Sequence, residues 1–255
     1  MKTIAIGNQK GGTGKTATTY ALGDALARIH GRRVLLVDVD PQSSLTKSCK
    51  VDVSMRATLA DVLGGASPGD ARLGQSLHDL GGGLMLAPSS IQMSKTELGL
   101  FSRMGRESVL TKALKQAHDS LDVVLIDCPP SLSFLTVNAL AAADFVIIPT
   151  QPQVVDIAGL SLFTDTVDQV KQEINPDLTI LGTLLTFYDT RLKHHASIID
   201  RLDDMGLNVF ETKIGRSIRV AEAAEAGQSV ISYAPDNKRA LEYKQFAEEI
   251  LQWLK

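Results

Sequence analysis

Aromatic side chains are scarce in this chain: one Trp, four Tyr and seven Phe among 255 residues. So few rings argue against a platform that stacks the bases of single-stranded nucleic acid. An excess of charge is missing too. Lys and Arg number 26 against 29 Asp and Glu, a formal net charge of −3. No bulk attraction to DNA or to an anionic membrane follows, which leaves a local basic patch as the means to bind either. The two cysteines, Cys49 and Cys128, belong to no C-x-x-C or Cys/His spacing, which argues against a zinc or iron–sulfur site. His194 and His195 are adjacent, would not share a helix face, and read as surface histidines. No apolar run reaches membrane-span length, and Lys2 leads at once into a short apolar strand in place of a signal peptide. A soluble, cytoplasmic protein is expected. Internal repeats and low-complexity tracts are also missing, so residues 1–255 read as one domain.

What is present is a series of short apolar runs. Ile4–Ile6, Val34–Val37, Val123–Ile126, Phe145–Ile148 and Ile180–Leu185 read as buried parallel strands, with Leu84–Ala87 a weaker candidate. Helix-like segments alternate with them at Thr16–His30, Ser131–Ala142, Asp156–Ile174 and His195–Met205. The alternation predicts an α/β fold: a mostly parallel twisted sheet with helices on both faces. Residues 64–69 and Gly81–Gly83 read as turns. From Lys238 to Lys255, Tyr243, Phe246, Ala247, Ile250, Leu251 and Leu254 recur at helical spacing, opposite a slightly acidic face. A membrane-surface helix would want a basic face, so this helix is expected to pack on the domain.

The most informative stretch is Asn8–Thr16, Asn-Gln-Lys-Gly-Gly-Thr-Gly-Lys-Thr, between the first strand and the first helix. Strand, glycine-rich loop and helix form the context of a phosphate-binding loop. Gly11, Gly12 and Gly14 let several N–H groups turn toward one anion, and the helix adds its positive end. Thr13 and Ala17 complete the nucleotide-binding set with Lys10. Lys15 is placed to reach the β- and γ-phosphates and Thr16 to put its hydroxyl on Mg²⁺. The strict pattern wants glycine at position 9, where Gln9 stands, and the loop has a second lysine, Lys10.

Two apolar strands end in acids. Val34–Val37 runs into Asp38 and Asp40, and Val123–Ile126 into Asp127. Strand ends are where ligands sit in open α/β sheets. Asp127 is the natural carboxylate for a Mg²⁺ shell that is otherwise water and phosphate, and one of Asp38 and Asp40 could orient an attacking water. The alternative is that these aspartates merely cap the helices that follow.

With these motifs the chain resembles the ParA/Soj family of partition ATPases, within the wider group that includes MinD. The resemblance spans Lys10–Thr16, Val34–Gln42, Ile126–Ser131, Asn138–Leu140, Ala143–Asp144, Leu181–Arg191 and Ile218–Ala223. It implies a P-loop fold, ATP and Mg²⁺ as ligands, and a homodimer that forms with ATP and parts on hydrolysis. It assigns Lys10 to the partner's phosphates, Lys15 and Thr16 to the P-loop pair, Asp127 to the Walker B acid, Asp40 to the hydrolytic water and Asp38 to the neighbourhood of Mg²⁺. It also implies non-specific double-stranded DNA binding near Arg191, Lys193, Arg216 and Arg219, nucleoid association, and a ParB-like or cargo-adaptor partner for plasmid partition or chromosome segregation. Residues 188–255 hold 10 Lys and Arg against 11 Asp and Glu, so that region is not basic as a whole. Departures from the family pattern are Ala17 for a second threonine, and Gly215 and Ala224 where relatives often have proline. The last two suggest a looser loop. The first strand begins at once, so an added winged-helix or helix-turn-helix region is not expected. A MinD-like membrane-positioning ATPase is the alternative, which the missing basic amphipathic tail disfavours. A nitrogenase-iron-protein type would need cluster cysteines that Cys49 and Cys128 do not supply.

Overall fold

The computed structural model describes residues 1–64, 72–152 and 156–254, apart from the side chains of residues 118, 156–158, 193, 194 and 196. The predicted turn at 64–69 therefore lies, beyond Gly64, outside the described residues. The strands are β1 (Lys2–Ile6), β2 (Val34–Asp38), β3 (His78–Gly81), β4 (Leu84–Ala87), β5 (Val123–Asp127), β6 (Phe145–Thr150), β7 (Thr179–Tyr188) and β8 (Ile214–Gly215). They form one sheet in the order β3-β4-β2-β5-β1-β6-β7-β8. Neighbours run parallel except β3, which returns antiparallel to β4 through the turn Gly81–Gly83, all three at positive φ.

The expected fold class is borne out: helices cover both faces of a mostly parallel sheet. Side chains alternate along each strand, so one run feeds two cores. Ala5, Leu35, Val37, Val124 and Ile126 face one layer, while Ile4, Ile6, Val34, Leu36 and Leu125 face the other. The first core is closed by helices that include Phe134–Ala142 and Asp156–Glu173, the second by Lys15–Arg28 and Lys238–Leu251. Gly23 sets the depth of the first helix on the sheet. A Cβ there would sit 2.5 Å from Leu36 Cδ2, so only glycine allows this approach.

Local chemistry explains the helix ends. The helix expected from Ser131 begins at Phe134, because Ser133 takes the cap position and accepts from Leu135 N at 3.3 Å. Asn237 caps Lys238–Leu251 in the same way through Arg239 N. That last helix packs on the sheet as expected. Tyr243, Phe246, Ala247 and Ile250 are buried, and the Phe246 ring meets Phe210 edge-on at 5.1 Å. No helix among the described residues is long and apolar enough to cross a membrane. One expectation is corrected: His195 is buried, not on the surface, and its Nδ1 accepts from Asp189 N at 3.0 Å.

The topology sets the place for a site. From β1 the chain moves to β2 on one side, returns through β5 between them, then passes to β6 on the other side of β1. The loop after β1 thus lies where the winding direction reverses, at the carboxyl end of the strands. Because the last helix belongs to the core, Phe246→Ala should cost about 3–5 kcal/mol in a urea denaturation measurement. A loss below about 1 kcal/mol would mean that this helix is held only loosely.

Candidate nucleotide site

The loop after β1 is tied down from several sides before any ligand is considered. Asn8 Nδ2 donates to Pro149 O at 2.8 Å, and its Oδ1 accepts from Lys10 N at 3.0 Å. Thr186 Oγ1 donates to Thr13 O at 2.9 Å and Gln151 Nε2 to Gly12 O at 2.7 Å. Gly12 and Gly14 take φ of 75° and 85°, the left-handed region that a side chain disfavours. Gly14 then opens helix Lys15–Arg28. Lys15 is buried and its Nζ donates to Lys10 O at 2.8 Å. Burial lowers its pKa, opposed by the nearby Asp127, Cys128 and Asp40.

The acids gather beside this loop. Asp38 and Asp127 are register partners at the ends of β2 and β5 and are both buried. Asp38 Oδ2 accepts from Thr46 N at 2.9 Å and Thr46 Oγ1 at 2.7 Å, and its Oδ1 accepts from Asp40 N at 3.1 Å. Thr46 lies in the first turn of helix Ser44–Ser48, so the capping alternative is partly realised at Asp38. It is not realised at Asp127, since Ser133 caps the helix that follows. Instead Asp127 Oδ2 accepts from Thr16 Oγ1 at 2.7 Å and Oδ1 from Thr19 Oγ1 at 3.3 Å. Burial, then the neighbouring Asp38 charge, pushes the Asp127 carboxyl up to about 8, and burial pushes Asp38 up to about 6. Asp40 sits at the pocket edge and holds Gln42 N at 2.8 Å.

Beside loop and acids is a pocket of about 570 Å³, a size that suits a small molecule. Gly11, Gly12, Gly14, Lys15, Thr16 and Asp40 line it together with the apolar side chains of Phe187, Val220, Ala221 and Ala224. Ala17 also lines it. A groove of about 660 Å³ between helices Leu59–Gly64 and Met93–Leu100 has neither the loop nor the strand-end acids in its lining. Among the described residues no cluster of three His, Cys, Asp or Glu could hold a metal. Thr16 and Asp127 do fit Mg²⁺, which takes one or two protein oxygens and completes its shell with phosphate and water. The raised carboxyl pKa of Asp127 is what such a cation would relieve.

Several contributors escaped the sequence reading. Thr46 and Thr19 hold the carboxylates, and Thr186 and Gln151 hold the loop. Phe187, at φ 53°, is a non-glycine residue in the left-handed region at the pocket wall. The expected looser loop at Gly215 is corrected. Gly215 N donates to Glu242 Oε2 at 2.9 Å, and Arg239 fills the space a side chain at 215 would need. Arg239 is in turn paired with Glu242 at 2.9 Å. Proline lacks that N–H and would displace Arg239.

The basic candidates are absent from the pocket lining. Arg191 pairs with Asp189 at 2.6 Å and Arg219 with Glu222 at 2.8 Å, both exposed to water. Arg216 lies 6.0 Å from the Phe187 ring centre. Lys193 opens helix Lys193–Asp204, but its side chain lies outside the described residues.

A parallel sheet with a two-lysine phosphate loop after a central strand, and buried carboxylates at the adjoining strand ends, defines a P-loop nucleotide-binding protein of the deviant Walker A type. Comparison with known proteins agrees. A family described as AAA domain matches residues 1–180. The chain is 38% identical over 252 residues to the sporulation initiation inhibitor protein Soj of Bacillus subtilis, covering 98% of each chain. It is 38% identical over 256 residues to the chromosome partitioning protein ParA of Caulobacter vibrioides, covering 98% of this chain and 94% of that one. It also superposes on a Mycobacterium smegmatis structure described as cobyrinic acid a,c-diamide synthase with bound ATP analog and magnesium. The TM-score is 0.86 at 37% identity, covering 99% of this chain and 95% of that one. The chain belongs to the ParA/Soj family of P-loop ATPases.

The raised pKa of Asp127 has a consequence for stability. The folded carboxyl holds its proton up to about pH 8, whereas the unfolded one releases it near 3.8. Its contribution is therefore full below the unfolded pKa and is lost as pH rises through the folded value. Asp127→Asn should raise the Tm of the nucleotide-free protein more at pH 9 than at pH 5. An equal change at both pH values would contradict the shift.

Proposed function

We propose that this protein is a Mg²⁺-dependent ATPase of the partition type, with residues 1–255 acting as one ATPase unit. It dimerises with ATP, binds double-stranded DNA without sequence preference, and uses hydrolysis to move or position a cargo over the nucleoid. The observation that carries this reading is the gathering of Lys15, Thr16 and Asp40 in the pocket lining, with Asp127 bonded to Thr16 behind them.

Each residue has a role its surroundings support. Backbone N–H groups of the loop and Lys15 bind phosphate. Thr16 and Asp127 would hold Mg²⁺, which supplies charge stabilisation for phosphoryl transfer when bound. Asp40, placed by the Asp38 hydrogen bond to its N–H, orients water. Asp38 itself spends both oxygens on Thr46 and Asp40, so it acts near the cation by holding the loop. Lys10 serves the partner subunit, adding positive charge as phosphate charge develops. The curated relatives named Soj and ParA support partition as the task, and the partner expected is a ParB-like or cargo-adaptor protein.

DNA binding is supported by the family and by Arg191, Arg216 and Arg219 in the carboxyl-terminal part. Two of these arginines already face a carboxylate, so one copy presents little free positive charge. Two copies double the phosphate contacts, which makes ATP-dependent dimerisation the natural switch for affinity. MinD-like membrane positioning is less well supported, because the carboxyl-terminal helix buries its apolar face in the core.

Lys15→Ala should weaken ATP binding by roughly 30-fold or more, since a buried charge contact to phosphate is removed. Unchanged affinity would displace the loop from the site. The direct test of the function uses Asp40→Ala, which should bind ATP without turning it over. Its binding to random-sequence duplex DNA is measured with ATP, with ADP and without nucleotide, across a salt series. Binding with ATP only, with a steep loss as salt rises, is expected. An ATP dimer that ignores DNA but sediments with anionic liposomes would replace partition by membrane positioning.

A further inference from the structure

Three polar side chains of the pocket lining have no hydrogen-bond partner among the described residues: Gln42 and Ser44, which follow Asp40 in the chain, and Gln228, which follows the helix that carries Val220, Ala221 and Ala224. Other hydroxyls nearby are committed. Tyr20 donates to Gly227 O at 3.1 Å, Ser48 to Ser44 O at 2.9 Å, and Ser229 to Asp24. Ser217 Oγ caps its helix through Arg219 N at 3.1 Å.

The backbone that carries Gln228 is fixed on every side. Gly227 ends helix Ile218–Ala226 at φ 78°, and its carbonyl accepts from Tyr20. Gln228 N donates to Ala223 O at 3.0 Å. Ser229 caps the next short helix and is bonded to Asp24, a buried carboxylate that also accepts from Ser232 Oγ at 2.6 Å and Arg28 Nε at 2.6 Å. Tyr20 and Asp24 both belong to helix Lys15–Arg28, which starts at the phosphate loop. One rigid element therefore starts at the phosphate loop and braces the turn that holds Gln228. The braced turn fixes where the exposed Gln228 side chain starts, and its amide is left to a ligand.

We propose that Gln228 selects adenine nucleotides by reading the base edge that carries N6 and N7. A glutamine amide donates to N7 and accepts from the N6 amino group together. Guanine presents two acceptors on that edge, N7 and O6, and leaves the amide oxygen of Gln228 without a donor. The flat walls of Phe187, Val220 and Ala224 accept either purine, so the discrimination falls to Gln228. This rests on the adenine-nucleotide reading above, and gives that site its base specificity.

The test is equilibrium displacement of a fluorescent ADP analogue, in Mg²⁺ buffer, by ADP, GDP and 7-deaza-ADP. Diphosphates avoid turnover. The wild type should prefer ADP to GDP by roughly tenfold or more, the value of a good paired contact to one base edge. Gln228→Ala should lose most of that preference while its Kd for GDP stays within about twofold, because guanine gains little from the amide. 7-Deaza-ADP lacks the N7 acceptor, so it should bind the wild type several-fold more weakly than ADP and the variant equally well. A variant that keeps the wild-type preference, or a wild type that binds ADP and 7-deaza-ADP alike, would overturn the role of Gln228. A wild type that binds no nucleoside diphosphate would overturn the nucleotide reading beneath it.

Discussion

Two carboxylates side by side in a dry interior impose the main constraint on this structure. Asp38 and Asp127 end adjacent parallel strands in register, and neither meets solvent. Like charges placed so cannot both ionise cheaply. The chain resolves this unequally. Asp38 receives three donors from Thr46 and Asp40 and becomes part of the scaffold. Among the described residues Asp127 receives the hydroxyls of Thr16 and Thr19 alone. Its remaining need is met by a proton or by a cation, with the buried Lys15 close enough to feel its charge.

The helix that follows the phosphate loop transmits this arrangement outward. Thr18 meets Tyr243 of the carboxyl-terminal helix at 3.3 Å, Tyr20 holds Gly227, and Asp24 holds Ser229 and Ser232. Gly23 seats the same helix against Leu36 of β2, the strand that ends in Asp38. Phosphate loop, strand-end acids and pocket wall are thus braced by one rigid element.

Most of the sheet was legible because its strands are apolar on both faces, as with Val34–Val37 and Val123–Ile126. β3 and β8 were not. β3 reads His-Asp-Leu-Gly, with no apolar pattern, and exists as the return arm of the Gly81–Gly83 turn. β8 is two residues long and is defined by its partner β7. The loop motif and the three acids were legible as chemistry, since their spacing after apolar strands is local. Which acid is saturated and which is not depends on Thr46 and Thr19, which reach in from other turns. The burial of His195 and the pinning of Gly215 by Glu242 depend on side-chain placement that no local pattern encodes, whereas the pairs Asp189–Arg191 and Arg219–Glu222 are local in sequence.

Asp127 would give up its proton to a cation held beside Thr16 when Mg²⁺ and nucleotide bind. Calorimetric titration of MgADP at pH 7, in two buffers of different ionisation enthalpy, measures the protons released. Release by the wild type that disappears in Asp127→Asn is the predicted result. The same heat in both buffers for the wild type would mean that no proton leaves Asp127 and would move the cation to other oxygens.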